Sequence, residues 1–470
     1  MRQRYITTTL PYVNADPHIG FALELVQADA IARTWRAAGD GVFFSTGADE
    51  HGQKIFDAAQ KVGQEPQTYV DHYAAEFQKL KQSLNLSNDA FIRTSDIVHS
   101  AAVQEMWRRC AAKGDIYKKT YTGLYCVGCE AFKTEKELVG GTCPLHPNLD
   151  LQEISEENYF FRFSNYQEAL LTYLEQANSV FPEWRREEAI AFVKGGLEDF
   201  SISREKARLS WGIPVPNDDT QVMYVWFDAL TNYISTLGWP DDAQGNFKKF
   251  WAEGETLQVA GKDQVRFQSL MWQAMLMSAD IKHTDTVFYH GFITSGGQKM
   301  SKSLGNVISP YDLVAKYGTD ATRYILLRHI HPTEDSDVTW ERLDEWYTAN
   351  LTNGLGNLVA RVMKLSESHL DAYSGINPRQ DLVALENFNF QGAMDDIWAC
   401  IQRLDQEITE TEPFKVIKEN PEEGKQLIEK HRTELLLIAH MLTAYMPTTS
   451  EQIHDAVIAN KKPENLFPRL

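Results

Sequence analysis

The stretch Tyr5–Gly20, YITTTLPYVNADPHIG, limits the possible folds more than any other part of the chain. Tyr5, Ile6, the threonine run and Leu10 have the aromatic, β-branched and apolar character of a buried strand. Pro11 stops that strand, because proline cannot donate to a ladder. Asn14, Ala15, Asp16 and Pro17 are turn residues. From His18 the apolar residues Ile19, Ala22, Leu23, Val26, Ala30 and Ile31 recur at helical spacing, and Gly39 supplies a stop. A strand, a turn and a helix start in succession predict that His18 and Gly20 lie among free backbone N–H groups, where the helix dipole favours an anion.

Residues 1–115 continue this alternation. Val42–Thr46 reads as a second strand ending at Gly47-Ala48-Asp49-Glu50-His51-Gly52, and Pro66–Leu84 reads as a helix. Alternating elements imply a parallel sheet covered by helices, with ligands beyond the carboxyl ends of its strands. Asp49 falls at one such end. The pattern returns in 211–310, where Tyr224–Phe227 and Leu257–Ala260 read as strands. Val287–Ile293 is a further apolar strand. It leads through Ser295-Gly296-Gly297 to Lys299-Met300-Ser301-Lys302-Ser303, two lysines on a glycine-hinged loop that can close on a polyphosphate.

Residues 116–210 interrupt the sheet pattern. Cys126, Cys129, Cys143 and His146 form C-x-x-C, thirteen residues, then C-x-x-H. Three thiolates and an imidazole make a closed tetrahedral set, the arrangement of a structural zinc, so one zinc per chain is expected. Cys110 and Cys400 stand alone in apolar helical surroundings and read as buried thiols. From Asp344 the pattern is helical, with Asn350–His369, Leu382–Ile408, Glu422–Tyr445 and Ser450–Ala459 separated by proline- or glycine-bearing turns.

A net charge of −19 argues, by itself, against a nucleic-acid partner, although a local basic surface suffices to bind RNA. No apolar run is long enough to span a membrane, and MRQRYITTTLPYV lacks a signal core, which together read as cytoplasmic.

The early His18-Ile19-Gly20 and the late Lys299–Ser303 resemble the HIGH and KMSKS signatures of class I aminoacyl-tRNA synthetases. LPYVNADPHIG, TGADEHG, SISRE, YVWFDAL, GKD and KMSKSLGN are similar to motifs of the methionyl-tRNA synthetases in the same order, over nearly the whole chain. The resemblance implies a Rossmann-type catalytic domain at 1–115, a connective insertion with a zinc knuckle at 116–210, and the second catalytic half at 211–310. A linking region at 311–345 and an all-α anticodon-binding domain at 346–470 follow.

It also implies the site. His18, Gly20, Gly261, Asp263, Lys299, Met300, Ser301, Lys302 and Ser303 would bind ATP with Mg²⁺, and Asp263 would hold the ribose. His18, Lys299, Lys302 and Arg204 would serve the chemistry. Leu10, Tyr12, Trp226, Ala229, Leu230, Tyr233, Phe267 and Gln268 would surround the L-methionine side chain, with Asp49 on its ammonium. Asn357, Arg361 and Phe414 would read the anticodon of tRNA(Met). The C-terminal dimerising module of some relatives is missing, which implies a monomer. Two positions depart from the family pattern: Phe21 replaces the last histidine of HIGH, and Gln268 stands where histidine is usual. The competing readings are a catalytically impaired tRNA-binding paralogue and another H-x-G-H adenylyltransferase.

Overall fold

The computed structural model describes residues 1–129, 131–133, 135–300, 305–373 and 385–470. Its main sheet has six strands: β1 (Gln3–Thr8), β2 (Gly41–Ala48), β3 (Ala90–Arg93), β4 (Val180–Phe181), β5 (Glu255–Gly261) and β6 (Thr286–His290). They lie in the order β3-β2-β1-β5-β6-β4, and every pair is parallel. The central strand β1 pairs Ile6 with Phe44 on one side and with Leu257 on the other. It is buried from Tyr5 to Thr8, which explains its continuous apolar and β-branched run rather than an alternating one. The chain steps from β1 outward to β2 and β3, then forms β4 at the opposite edge before returning to β5 beside β1 and on to β6, so the switch point lies between β1 and β5. Ligands of such sheets bind in the crevice beyond the carboxyl ends there.

Two compact units divide the chain. The first comprises residues 1–16, 41–79 and 88–290, and the second 17–40, 80–87 and 291–470. In the first unit, three strands of a four-stranded antiparallel sheet lie in sequence between β3 and β4, and its fourth follows β4. Ile116–Cys126 pairs along its length with Gln152–Phe161, with Ala131–Lys133 and Phe200–Ser201 at the edges.

The sequence reading of Tyr224–Phe227 as a strand is corrected. The strand is Asp218–Met223, and Val225–Leu230 is a short helix. Aromatic and β-branched residues favour strands only where they fit a pleated surface, and here they pack helically into a core. The apolar strand after Thr286 also ends earlier than expected, at His290, and Ile293–Ser295 belongs to a separate three-stranded sheet.

The second unit is largely helical. It contains α1 (Ile19–Ala37), Thr319–Arg328, Asn357–His369, Phe390–Thr411, Pro413–Glu419, Pro421–Leu442 and Pro447–Ile458. Three of these helices start on proline, whose missing N–H costs nothing in a first turn. The helix expected from Leu382 starts instead at Phe390. Asn387 and Phe388 have positive φ, and Asn389 caps the helix by accepting from Gly392 N–H at 3.0 Å. Of the lone thiols, Cys110 is buried, but Cys400 is only half-buried, because its helix presents that face partly to solvent.

Arg323 is fully buried in this unit. It forms an ion pair with Asp29 of α1 at 2.8 Å and donates to the carbonyls of Leu84, Ala444 and Tyr445 at 2.8–3.2 Å. Burial acts to raise the Asp29 pKa, but Arg323 and Arg33 outweigh it and hold the carboxyl below its ordinary value. The resulting stabilisation is complete above the unfolded carboxyl's pKa of about 3.9 and is lost as pH falls through the folded value. Removing Arg323 leaves buried Asp29 with Arg33 as its remaining cation and three buried carbonyls without their donor, so Arg323→Ala is expected to cost about 3–5 kcal/mol in urea unfolding at neutral pH. A loss below about 1 kcal/mol, the level of a surface pair, would contradict this.

Candidate active site

The first unit gathers most of the predicted amino-acid pocket at the carboxyl ends of β1 and β2. Beyond the ends of these strands, Asp49 N–H donates to Pro11 O at 2.9 Å, and Val13 N–H donates to Asp49 O at 3.2 Å. These bonds set Tyr12 beside Asp49 as an isolated parallel bridge. Leu10 lies on the same segment as Tyr12, between β1 and the turn. Asp49 is buried, with 2% of its surface exposed.

The opposite wall comes from α2 (Val225–Leu230) and the helical turn Arg266–Met271. Trp226 stacks on Phe267 with ring centroids 3.8 Å apart and planes 13° apart. Tyr12 meets Trp226 edge-on at 6.1 Å. Ala229, Leu230 and Tyr233 follow Trp226 and are buried. Gln268 is buried as well and donates from Nε2 to the Tyr233 hydroxyl. This cluster therefore combines four aromatic rings, one buried amide and one buried carboxylate. A thioether is polarizable and favours aromatic walls, and a buried carboxylate suits an ammonium.

Gly261 ends β5, and Asp263 follows in an exposed turn where Gln264 donates to its carboxylate at 3.0 Å. Both lie on the β5 side of the switch point. Arg204 is almost fully buried. Its guanidinium lies over Tyr224 at 4.6 Å, Tyr125 at 5.2 Å and Phe132 at 5.3 Å, and it donates to Ser201 Oγ and Ser203 O. It thus joins the strand Ser203–Glu205 to the inserted sheet and to the residue before α2.

In the second unit, His18 is exposed and caps α1, with Nδ1 accepting from Gly20 N–H at 3.1 Å. In the neutral ring that leaves the proton on Nε2. A side chain on Gly20 would sit 3.0 Å from His18 Cε1, so glycine is what lets the imidazole fold onto the helix. The expectation of free N–H groups here is corrected. Ile19 N–H donates to Ile308 O, Gly20 to the imidazole, and Phe21 and Ala22 to His18 O, so the whole first turn is satisfied. Phe21 is half-buried on the same turn. Lys299 ends the two-residue strand Gln298–Lys299, with Met300 after it. Ser301, Lys302, Ser303 and the Lys299 side chain lie outside the described residues.

The knuckle is assembled. Cys129 Sγ is 3.5 Å from Cys143 Sγ and 3.3 Å from His146 Nδ1, and the other contacts of Nδ1 are 3.9 Å to Cys126 and 4.0 Å to Cys143. All four donor atoms lie within 4.8 Å of one another. These are edge lengths of a tetrahedron around an ion with ligands at about 2.0–2.3 Å. A Cβ on Gly128 would come within 2.4 Å of the His146 ring, which explains a glycine between the first two cysteines.

In the helical segment Asn357 is exposed, and Arg361, one turn on, pairs with Asp405 at 2.5 Å. Phe414 is 43% exposed and so is not a core aromatic.

Sequence reading missed a buried chain in the first unit: His51, Asp228 and His99, joined by hydrogen bonds of 2.6 and 2.7 Å. These residues lie in separate parts of the sequence, and no local spacing marks them. Two of them fall inside motifs already noted, TGADEHG and YVWFDAL.

A parallel sheet, a helix-capping H-x-G and a downstream KMSKS sequence are together the features of a class I aminoacyl-tRNA synthetase. The family model for tRNA synthetases class I (M) matches residues 4–153 and 148–363. The methionine–tRNA ligase of Fusobacterium nucleatum is 38% identical over 98% of this chain and 75% of its own length. That of Thermotoga maritima is 38% identical over 98% of this chain and 76% of its own. The solved structure of Mycobacterium tuberculosis methionyl-tRNA synthetase in complex with methionyl-adenylate matches with a TM-score of 0.89 and 35% identity, covering 97% of this chain and 94% of that one. The chain belongs to the methionyl-tRNA synthetase family.

Gly128→Val should push the His146 ring off the cysteines. Metal analysis of the purified chain is expected to give about one ion for the native sequence and clearly less for the variant. Equal metal content in both would contradict the knuckle geometry.

Proposed function

We propose that this chain carries out its family's reaction, the ATP-dependent ligation of methionine to tRNA, by clamping methionine in the aromatic pocket and bringing charged groups onto ATP. The observation that carries this reading is buried Asp49 bridged to Tyr12, whose ring meets the stacked Trp226 and Phe267, beyond the ends of β1 and β2. Asp49 takes the ammonium. The thioether lies among the rings with Leu10, Ala229, Leu230, Tyr233 and Gln268.

The methionine carboxylate attacks the α-phosphate of ATP, giving methionyl-adenylate and releasing pyrophosphate. The terminal ribose hydroxyl of the tRNA then attacks the acyl carbon and AMP leaves. The carboxylate is ionised at neutral pH and needs no base. The chain's work is therefore positioning and charge stabilisation. His18 donates from Nε2 to the phosphates, with Gly20 allowing that ring position. Lys302 and Lys299 act on the departing pyrophosphate from the loop that Met300, Ser301 and Ser303 shape. Gly261 leaves room for the nucleotide, and Asp263 accepts from the ribose hydroxyls. Arg204, held over Tyr224, supports the wall before α2. Mg²⁺ bound with ATP would share the phosphate charge. Cys126, Cys129, Cys143 and His146 would hold a structural zinc with no open position, which supplies folding rather than chemistry.

The domains follow as 1–115 and 211–310 for catalysis, 116–210 for the knuckle insertion, 311–345 as a link, and 346–470 for tRNA(Met). Asn357, Arg361 and Phe414 read the anticodon; an exposed ring offers a stacking face for an unpaired base. Among the described residues no helix is long and apolar enough to cross a membrane.

Lys302→Ala is expected to slow single-turnover adenylate formation by about 10²–10³ while methionine binding holds, because a donor to developing charge acts mainly in the transition state. Loss of methionine binding with an unchanged adenylation rate would reassign Lys302. Arg361→Ala should spare ATP–pyrophosphate exchange, which needs no tRNA, and reduce tRNA charging. Equal loss in both assays would make Arg361 a folding residue through its Asp405 pair, and normal charging would remove it from the anticodon site.

A further inference from the structure

Asp228 lies between Trp226 and Ala229 on α2 and is fully buried. Both of its carboxylate oxygens are taken by histidines. His51 Nδ1 is 2.6 Å from Oδ2, and His99 Nε2 is 2.7 Å from Oδ1. His99 is fully buried, and its Nδ1 is 2.8 Å from Ser235 Oγ. A carboxylate only accepts, so it fixes a proton on His51 Nδ1 and another on His99 Nε2. Burial acts to raise the Asp228 pKa, but His51 and then His99 outweigh it and leave the carboxyl below its ordinary value. The group is an ionised acceptor, and hydrogen bonds to it are short and strong.

His51 belongs to the loop that carries Asp49. Its backbone N–H approaches Asp49 Oδ1 at 3.4 Å. Its ring stands edge-on to Trp211 at 5.2 Å, and Trp211 Nε1 donates to Glu50 O at 2.6 Å. The Glu50 carboxylate pairs with Arg93 at 2.6 Å. The loop is thus tied on several sides, and the Asp228 tie runs to the helix that supplies Trp226.

We propose that Asp228, acting through His51, is a positioning residue for amino-acid recognition: it holds the Asp49 carboxylate in register with the Trp226 wall, so that one ligand's ammonium and side chain are gripped at a fixed separation. The inference rests on the assignment of Asp49 to the ammonium. The chemistry explains the choice of groups. A water-exposed or neutral tie would let the loop shift, whereas truncating one member of a buried charge-assisted pair leaves its partner unsatisfied. His99 and Ser235 complete the acceptor's shell and keep Asp228 from turning toward the pocket.

The test compares two ligands on the intact chain: L-methionine and 4-(methylthio)butanoate, which keeps the thioether and carboxylate but lacks the ammonium. Affinities are measured for the native chain and for Asp228→Asn, His51→Gln and Asp49→Asn, together with the KM for ATP in pyrophosphate exchange. Asp228→Asn and His51→Gln are expected to weaken methionine binding by about 10- to 100-fold, with the butanoate and the ATP KM changed by less than about twofold. A general loosening of the fold would weaken both ligands alike, and that result, or unchanged methionine binding, overturns the proposal. If Asp228→Asn does not fold, His51→Gln decides alone. Asp49→Asn separates the two assignments. If it abolishes the preference for methionine over the butanoate and the other two variants do not, the positioning role falls and the ammonium assignment stands. If it leaves the preference intact, both fall.

Discussion

Two backbone hydrogen bonds beyond the end of the sheet set the geometry on which the pocket depends. Asp49 N–H reaches Pro11 O, and Val13 N–H reaches Asp49 O. Pro11 cannot donate, so the regular ladder of β1 ends there, but its carbonyl still accepts and carries the pairing one step further. The result places an aromatic ring and a buried carboxylate side by side on backbone that is fixed by a central parallel strand. Trp226 and Phe267 stack on each other and meet Tyr12, which forms an aromatic wall on that backbone. Sites built on regular elements hold their geometry better than sites on free loops.

The chemistry fits a molecule that binds and orients rather than one that shuttles protons. The nucleophile is the substrate's own carboxylate, ionised at neutral pH. The side chains assigned to this chemistry in the proposal are accordingly aromatic rings, a carboxylate for a cation, and lysines and a histidine for phosphate. The chain's net charge of −19 repels RNA as a whole, so the proposed reading of tRNA by Asn357, Arg361 and Phe414 rests on local features rather than on overall charge. The knuckle stands apart as a closed set of four ligands, with a glycine that makes room for the imidazole.

Features carried by local order were legible in the sequence. The strand, turn and helix of Tyr5–Ala37 read directly from residue type and spacing, as did the cysteine–histidine spacing, because both are short-range constraints. Features set by tertiary packing were not. Tyr224–Phe227 has strand composition but forms a helix start, because what decides it is the surrounding core. The first turn of α1 invited an anion on its N–H groups, yet His18 and Ile308 satisfy them, one by side-chain folding and one across the fold. The His51–Asp228–His99 chain left no local trace, since its members meet only when three separated segments are folded together.

The most direct test of the account is ATP–pyrophosphate exchange by the purified chain with each amino acid in turn and no tRNA. The pocket of Tyr12, Asp49, Trp226 and Phe267 predicts exchange that depends on L-methionine, with other amino acids near background. A folded, metal-bearing chain that gave no methionine-dependent exchange, or that exchanged equally with an amino acid lacking the thioether, would contradict it.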